Sequence, residues 1–215
     1  MKNREKIAKI LLKTGAVKIF DNKPFKFSSG ILSPIYIDTR ILISLPRERE
    51  IIIREFINLI KEKNIKFDII SGTATAAIPW AAFLAQKLKV PMVYVRPTPK
   101  NYGQKKQVEG VIKKGSRIFL LEDMISTAQS AMNEKKALER EGQAKIRYGA
   151  AIYTHNLHSA GKILKEERVR FYFLTDFEEV IRVAEKNGQI TQQEKKEILS
   201  WNKDPVAWGR KYEGR

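Results

Sequence analysis

Apolar positions in the first segment of the chain fall at Ile7, Ile10 and Leu11, the spacing of an amphipathic helix over residues 3–14, and Gly15 ends it. A strand at Phe25-Lys26-Phe27 follows, then the turn Ser28-Ser29-Gly30, then the apolar Ile35-Tyr36-Ile37, which reaches Asp38 and Arg40. Ser44 is placed to cap a helix with Pro46 in its first turn, running to about Lys63. Beyond it the pattern alternates. Strand Phe67–Ser71 precedes a helix over 77–88, and strands Met92–Val95 and Ile118–Leu121 precede a helix that Gly142 stops near Glu141. Strand Tyr148–Tyr153, a helix over 158–166 and strand Val169–Leu174 complete the alternation, which predicts an α/β fold with a mostly parallel central sheet flanked by helices. The last forty residues read as helical, with the capping box Thr191-Gln-Gln-Glu194 after Gly188, and with Trp201 and Trp208 as anchors to the body.

Composition narrows this picture only a little. At 215 residues and 43% hydrophobic, with 10 Phe and 3 Trp, a single packed domain spanning 1–215 is expected. No apolar run reaches the roughly 18 residues that a membrane span needs. The N-terminus reads as an amphipathic helix and not as a secretory leader. The absence of cysteine excludes disulfides and thiolate metal sites and fits a cytoplasmic protein. A net charge of +17 suits either polyanionic partners or a Lys-rich solvated surface, and cannot choose between them.

Candidate chemistry concentrates where strands end. The run Arg117-Ile-Phe-Leu-Leu-Glu-Asp-Met-Ile-Ser-Thr-Ala-Gln-Ser130 reads as a buried strand stopping at two adjacent acids, followed by small and hydroxylated residues that open a helix. Ligands of open α/β sheets bind at the carboxyl ends of strands, where helix N-termini offer free N–H groups to anions. Glu122 and Asp123 could accept from sugar hydroxyls, and the turn from Ser126 to Ser130 could hold a phosphate. Gly72-Thr73-Ala74-Thr75-Ala76-Ala77 forms a second turn of this kind, so the sheet suits a ligand with phosphates at both ends. The segment from Pro97 to Gly110 is long for a compact domain, and with Arg96 it gathers Lys100, Lys105 and Lys106. Such a loop could close over a negatively charged leaving group. His155 and His158, the only histidines, read as structural or surface residues.

These residues resemble the type I phosphoribosyltransferases. Glu122-Asp123-Met124-Ile125-Ser126-Thr127 is similar to that family's ribose-phosphate loop. Three further segments point to the orotate phosphoribosyltransferases within it: Phe27-Ser-Ser-Gly-Ile-Leu-Ser-Pro-Ile-Tyr-Ile-Asp38, which resembles the hood over the base; Tyr94-Val-Arg-Pro-Thr-Pro-Lys-Asn-Tyr-Gly103 with Gln107-Val-Glu-Gly110, which resembles the catalytic loop; and Gly72 to Pro79, which resembles the pyrophosphate loop. The C-terminal Trp201-Asn-Lys-Asp-Pro-Val-Ala-Trp208 is similar to tails in one bacterial branch. On this likeness the chain divides into an N-terminal helix and hood (1–40), an α/β core (41–175) and C-terminal helices (176–215).

The resemblance implies transfer of ribose 5-phosphate from phosphoribosyl pyrophosphate to orotate, giving orotidine 5′-monophosphate and pyrophosphate with Mg²⁺, in pyrimidine biosynthesis. Arg96, Lys100 and Asp123 are then the catalytic candidates. The phosphoribosyl pyrophosphate site would comprise Arg96, Lys100, Tyr102 and residues Glu122, Asp123, Met124, Ile125, Ser126, Thr127, Ala128, Gln129 and Ser130. Pyrophosphate would sit on Gly72, Thr73, Ala74, Thr75 and Ala76, and orotate near Ser126, Ser29 and Gly30. No dedicated protein cage for the metal is implied, because substrate oxygens and water would carry it. The family's loop reaches a neighbouring subunit's site, which implies a homodimer sharing loop 96–110.

The chain also departs from the family. Glycine is usual where Ala128 stands, often with another small residue at Gln129; some members have lysine at Pro97, and others an Asp-Arg pair at Asn156-Leu157. Ala128 together with the charge motivates an alternative, a non-catalytic nucleotide sensor that binds nucleic acid.

Overall fold

The computed structural model describes residues 2–20, 23–26, 30–98 and 106–212. Helix α1 (Lys2–Lys13) leads through Gly15, at φ 73°, to strand β1 (Val17–Ile19). Strands β2 (Phe25–Lys26), β3 (Leu32–Ser33) and β4 (Ile35–Ile37) follow; β1 pairs with β4 and β2 with β3, both antiparallel. A 3₁₀ turn over Thr39–Ser44 is capped by the Asp38 carboxylate, which accepts from the Arg40 N–H. Helix α2 (Pro46–Glu62) starts at Pro46, whose missing N–H costs nothing in a first turn. Its N-cap is Leu45, without a side-chain bond, so Ser44 is not the cap expected of it. The 3₁₀ turn takes Ser44 as its last residue and leaves it one position too early.

Strand β5 (Ile69–Thr73), helix α3 (Ile78–Leu88) and strand β6 (Met92–Val95) form the first crossover. Strand β7 (Val108–Glu109) runs back antiparallel to β6, an element hidden in what reads as one long loop. Strand β8 (Arg117–Ile125), helix α4 (Gln129–Gly142), strand β9 (Lys145–Thr154), helix α5 (His158–Glu166) and strand β10 (Arg170–Phe173) continue the alternation. Helices α6 (Phe177–Lys186), α7 (Gln192–Lys203) and α8 (Pro205–Arg210) end the chain. The central sheet has the order β10-β9-β8-β5-β6-β7, parallel except for β7.

Two differences from the sequence pattern have clear causes. Gly142 is the last residue of α4, not its stop; the left-handed residue is Gln143, at φ 48°. A Cβ on Gly142 would lie 2.7 Å from the Ile112 side chain, so glycine is needed there for packing. Strand β8 runs through Glu122 and Asp123 to Ile125 because β9 pairs with it along that length, as in Met124 with Tyr153 and Ile125 with Thr154. The acids therefore belong to the strand, and their side chains point to opposite faces.

Each face of the sheet has its own core. One joins Ile70, Phe119 and Leu121 to Trp80 and Leu84 of α3, Phe56 of α2 and Leu11 of α1. The other joins Ile69, Leu120 and Val93 to Ala131, Met132 and Leu138 of α4 and Leu164 of α5. Fully burying each such side chain is worth about 1.5–3 kcal/mol, enough to fix which face of every strand is which. The tail is tied to the N-terminal strands: the Trp201 Nε1–H donates to the Leu32 carbonyl at 2.8 Å, and Trp208 packs edge-on against Phe20. The capping box at Thr191 and Glu194 forms as expected.

Candidate active site

The carboxyl ends of β5, β8 and β6 lie side by side, and each carries a candidate segment. At the end of β8, Asp123 accepts a hydrogen bond from the Thr39 hydroxyl at 2.6 Å, so the 3₁₀ turn next to the N-terminal strands is joined to the central sheet. Burial raises the Asp123 pKa, while the Thr39 bond and nearby Arg40 act in the opposite direction. Glu122 is more enclosed, at 4% exposure, and points to the α4 side. Its pKa is raised well above the ordinary carboxylate range by burial first and then by the charge of Glu134.

After β8 the chain bends through Ser126, Thr127 and Ala128 into α4. No side chain caps the N-terminus of α4, so neither Ser126 nor Thr127 is spent on its first-turn N–H groups. Those groups and the positive end of the helix dipole are what a phosphate requires. Thr127, Gln129 and Ser130 are exposed there, while Met124, Ile125 and Ser126 are buried or half-buried. Gln129 donates to Asn133 at 3.0 Å and turns along the helix. Ala128 has φ 66° and ψ 3°, the left-handed conformation that favours glycine.

The second turn, Thr73 to Ala77, leaves β5 with a cis Ala74–Thr75 peptide and is closed by the Ala77 N–H donating to the Thr73 carbonyl at 3.1 Å. Helix α3 also starts without a side-chain cap. Gly72 lets that helix approach, because a Cβ would meet the Ala81 Cβ at 2.8 Å and the Ala77 carbonyl oxygen at 3.0 Å. Thr75 is exposed, with Ala74 and Ala76 half-buried beside it.

Arg96 follows β6. Its N–H donates to the Gln107 carbonyl at 3.0 Å and its guanidinium lies 3.5 Å from Glu109. Glu141, near the end of α4, accepts from the N–H groups of Gln107 and Val108, which fastens the base of the loop to the helix. Lys100, Tyr102, Lys105 and Ser29 lie outside the described residues, and Gly30 is at φ 85° beside β3. The structure thus brings together residues 72–76, 122–130 and Arg96. Three contributors escaped the sequence pattern: Thr39, Glu134 and Glu141. Only Glu134 left a trace, as an acid on the apolar face that Ala131 and Leu138 define.

His155 is buried with its ring beside the Tyr153 hydroxyl, and burial lowers its pKa to about 4. It is structural, and His158 is an exposed residue at the start of α5. Among the described residues, no group of three or more His, Asp or Glu side chains is arranged to hold a metal ion, and no helix is long and apolar enough to cross a membrane.

Comparison with known proteins shows the family to which the fold belongs. A family model described as a phosphoribosyl transferase domain matches residues 44–187. The orotate phosphoribosyltransferase of Coxiella burnetii is 41% identical, over 97% of this chain and 99% of its own. That of Staphylococcus aureus is 41% identical over 92% of this chain and 97% of its own. The crystal structure of orotate phosphoribosyltransferase from Aeropyrum pernix superposes with a TM-score of 0.73 at 29% identity, covering 86% of this chain and 99% of that one.

Proposed function

Because this chain belongs to the phosphoribosyltransferase family, and within it to the orotate phosphoribosyltransferases, we propose that the strand-end site joins ribose 5-phosphate from phosphoribosyl pyrophosphate to N1 of orotate. The chain is a transferase of pyrimidine biosynthesis. The observation that carries the site assignment is the uncapped N-terminus of α4 directly beyond Glu122 and Asp123. These relatives are named for the transferase, so the nucleic-acid-binding alternative is not favoured.

In this reading the 5′-phosphate lies on the first-turn amides of α4, with Thr127, Gln129 and Ser130 around it. Asp123, the more open acid, takes a ribose hydroxyl from one side of β8 and Glu122 supports the sugar from the other. As the C1–O bond to pyrophosphate breaks and the N1–C1 bond forms, with the N1 proton released to the pyrophosphate or to solvent, positive charge develops on the ribose. The fixed carboxylate of Asp123 stabilises it electrostatically. Pyrophosphate leaves onto the turn 73–77, under Arg96 and the loop lysine Lys100, with Tyr102 alongside. Orotate stacks beneath the hood near Ser126, Ser29 and Gly30.

Mg²⁺ fits as an ion carried by diphosphate oxygens and water, a hard-oxygen donor set for which few protein ligands are needed, and it supplies charge neutralisation of the leaving group. No side chain is assigned to it. A homodimer sharing loop 96–110 and a cytoplasmic location are part of the same proposal and rest on the family likeness. The test is product formation: the purified protein with orotate, phosphoribosyl pyrophosphate and Mg²⁺ should yield orotidine 5′-monophosphate and pyrophosphate in equal amounts. No product from a folded protein overturns the reading.

A further inference from the structure

Glu134 lies on α4, behind the site, and is 2% exposed. A carboxyl in that position is costly unless every oxygen is engaged. Both are: Ser71 Oγ donates to one and Thr73 Oγ1 to the other. Ser71 and Thr73 are alternate residues of β5, so their side chains share the face that α4 covers. Thr73 is also the first residue of the turn 73–77, and its hydroxyl interacts with Glu122 on β8 as well as with Glu134.

We propose that Glu134 is a positioning residue which, acting through Thr73, sets the turn 73–77 and the carboxyl group of Glu122 for a ligand bearing a diphosphate. The inference rests on the reading of that turn as the pyrophosphate site. A threonine hydroxyl has one proton and cannot donate to two carboxylates at once. With both Glu122 and Glu134 interacting with it, the arrangement is satisfied when one of the two acids carries a proton. The groups facing Glu134 are the neutral hydroxyls of β5 and the acid Glu122 of β8, next to which Asp123 adds a second negative charge. The surrounding layer from β6, β9 and α5 is apolar, with Val93, Val95, Ala151 and Ala160. Burial raises the Glu134 pKa to about 7, against the two hydroxyl bonds. That of Glu122 is raised further, by burial and by the charge of Glu134, so Glu134 is the acid that ionises first and Glu122 the one that keeps the shared proton. As pH rises through 7, Glu134 becomes negative behind the turn that takes the diphosphate, and binding weakens.

Glu134→Gln tests this, since an amide keeps the shape, can donate to one hydroxyl oxygen and stays neutral at every pH. The measurement is pyrophosphate–Mg²⁺ affinity by calorimetry at pH 6 and pH 8.5, in wild type and variant, with orotate affinity and melting temperature alongside. Titration of pyrophosphate itself is common to both proteins and cancels in the ratio. Wild-type affinity should fall about threefold to tenfold more than that of the variant across this range, an effect of half to one pKa unit, with orotate binding equal in both. Ser71→Ala removes one donor to the ionised form and should move the wild-type fall to higher pH. Identical pH dependence in wild type and Glu134→Gln, or an equal effect on orotate, overturns the inference. Absence of pyrophosphate binding in the wild type at both pH values overturns the site reading and this inference with it, whereas wild-type binding with indifferent variants overturns this inference alone.

Discussion

Thr39 Oγ1 donates to Asp123 Oδ2 at 2.6 Å, joining residues 84 positions apart. The bond fixes the more open of the two strand-end acids and makes the 3₁₀ turn after β4 part of the site wall.

Removing that hydroxyl with Thr39→Val leaves Asp123 half-buried with one donor fewer. A hydrogen bond to a charged group is worth about 1.5–3 kcal/mol, so kcat/KM for phosphoribosyl pyrophosphate should fall roughly tenfold to a hundredfold. Steady-state kinetics checks this, and an unchanged kcat/KM would remove Thr39 from the account.

Ala128 adopts φ 66°, where an L side chain is strained. Ala128→Gly should raise unfolding free energy by about 1 kcal/mol and leave affinity for phosphoribosyl pyrophosphate equal or better. Urea unfolding and substrate titration measure the two effects. Lower stability together with lower affinity would show that this bend is adapted to alanine.

The raised pKa of Glu134 gives a stability effect with a definite sign. Because its folded value, about 7, lies above the ordinary 4.5, the folded state holds the proton more tightly. The contribution is fully present below pH 4.5 and is lost as pH rises through 7, by about 3 kcal/mol at most. His155, with its pKa lowered to about 4, destabilises on acidification instead, so the comparison must be between wild type and Glu134→Gln. Wild-type stability should decline relative to the variant between pH 4.5 and 7. Parallel curves would contradict the assignment.

Glu141 accepts from the amides of Gln107 and Val108 at 3.1 and 3.0 Å, and so holds the base of the segment that carries Lys100. Glu141→Ala should lower kcat several-fold while unfolding remains cooperative, and Lys100→Ala should lower it further. Equal kcat in all three proteins, read from initial rates, would separate this loop from the chemistry.

Much of this was legible in the sequence because local patterns decide it. The 3.6-residue and twofold periods placed α3, α5 and β6 within a residue, since their apolar faces are also their buried faces. The strand-end turns were visible as small and hydroxylated residues between apolar runs. What was not legible depends on partners far along the chain. β8 extends past its apolar run because β9 pairs with it, and β7 exists only because β6 offers an edge. Thr39 carries no local mark of its bond to Asp123. Gly142 looked like a helix stop, and only the position of Ile112 shows why it is glycine.

The most direct test is the absorbance of orotate in the presence of phosphoribosyl pyrophosphate and Mg²⁺, with uracil and hypoxanthine as alternative acceptors and Asp123→Asn as the control protein. The account predicts a fall with orotate alone, and a rate lower by at least about tenfold in the variant, as loss of one electrostatic contact to the transition state implies. Turnover of hypoxanthine in place of orotate, or an undiminished rate in Asp123→Asn, would contradict it.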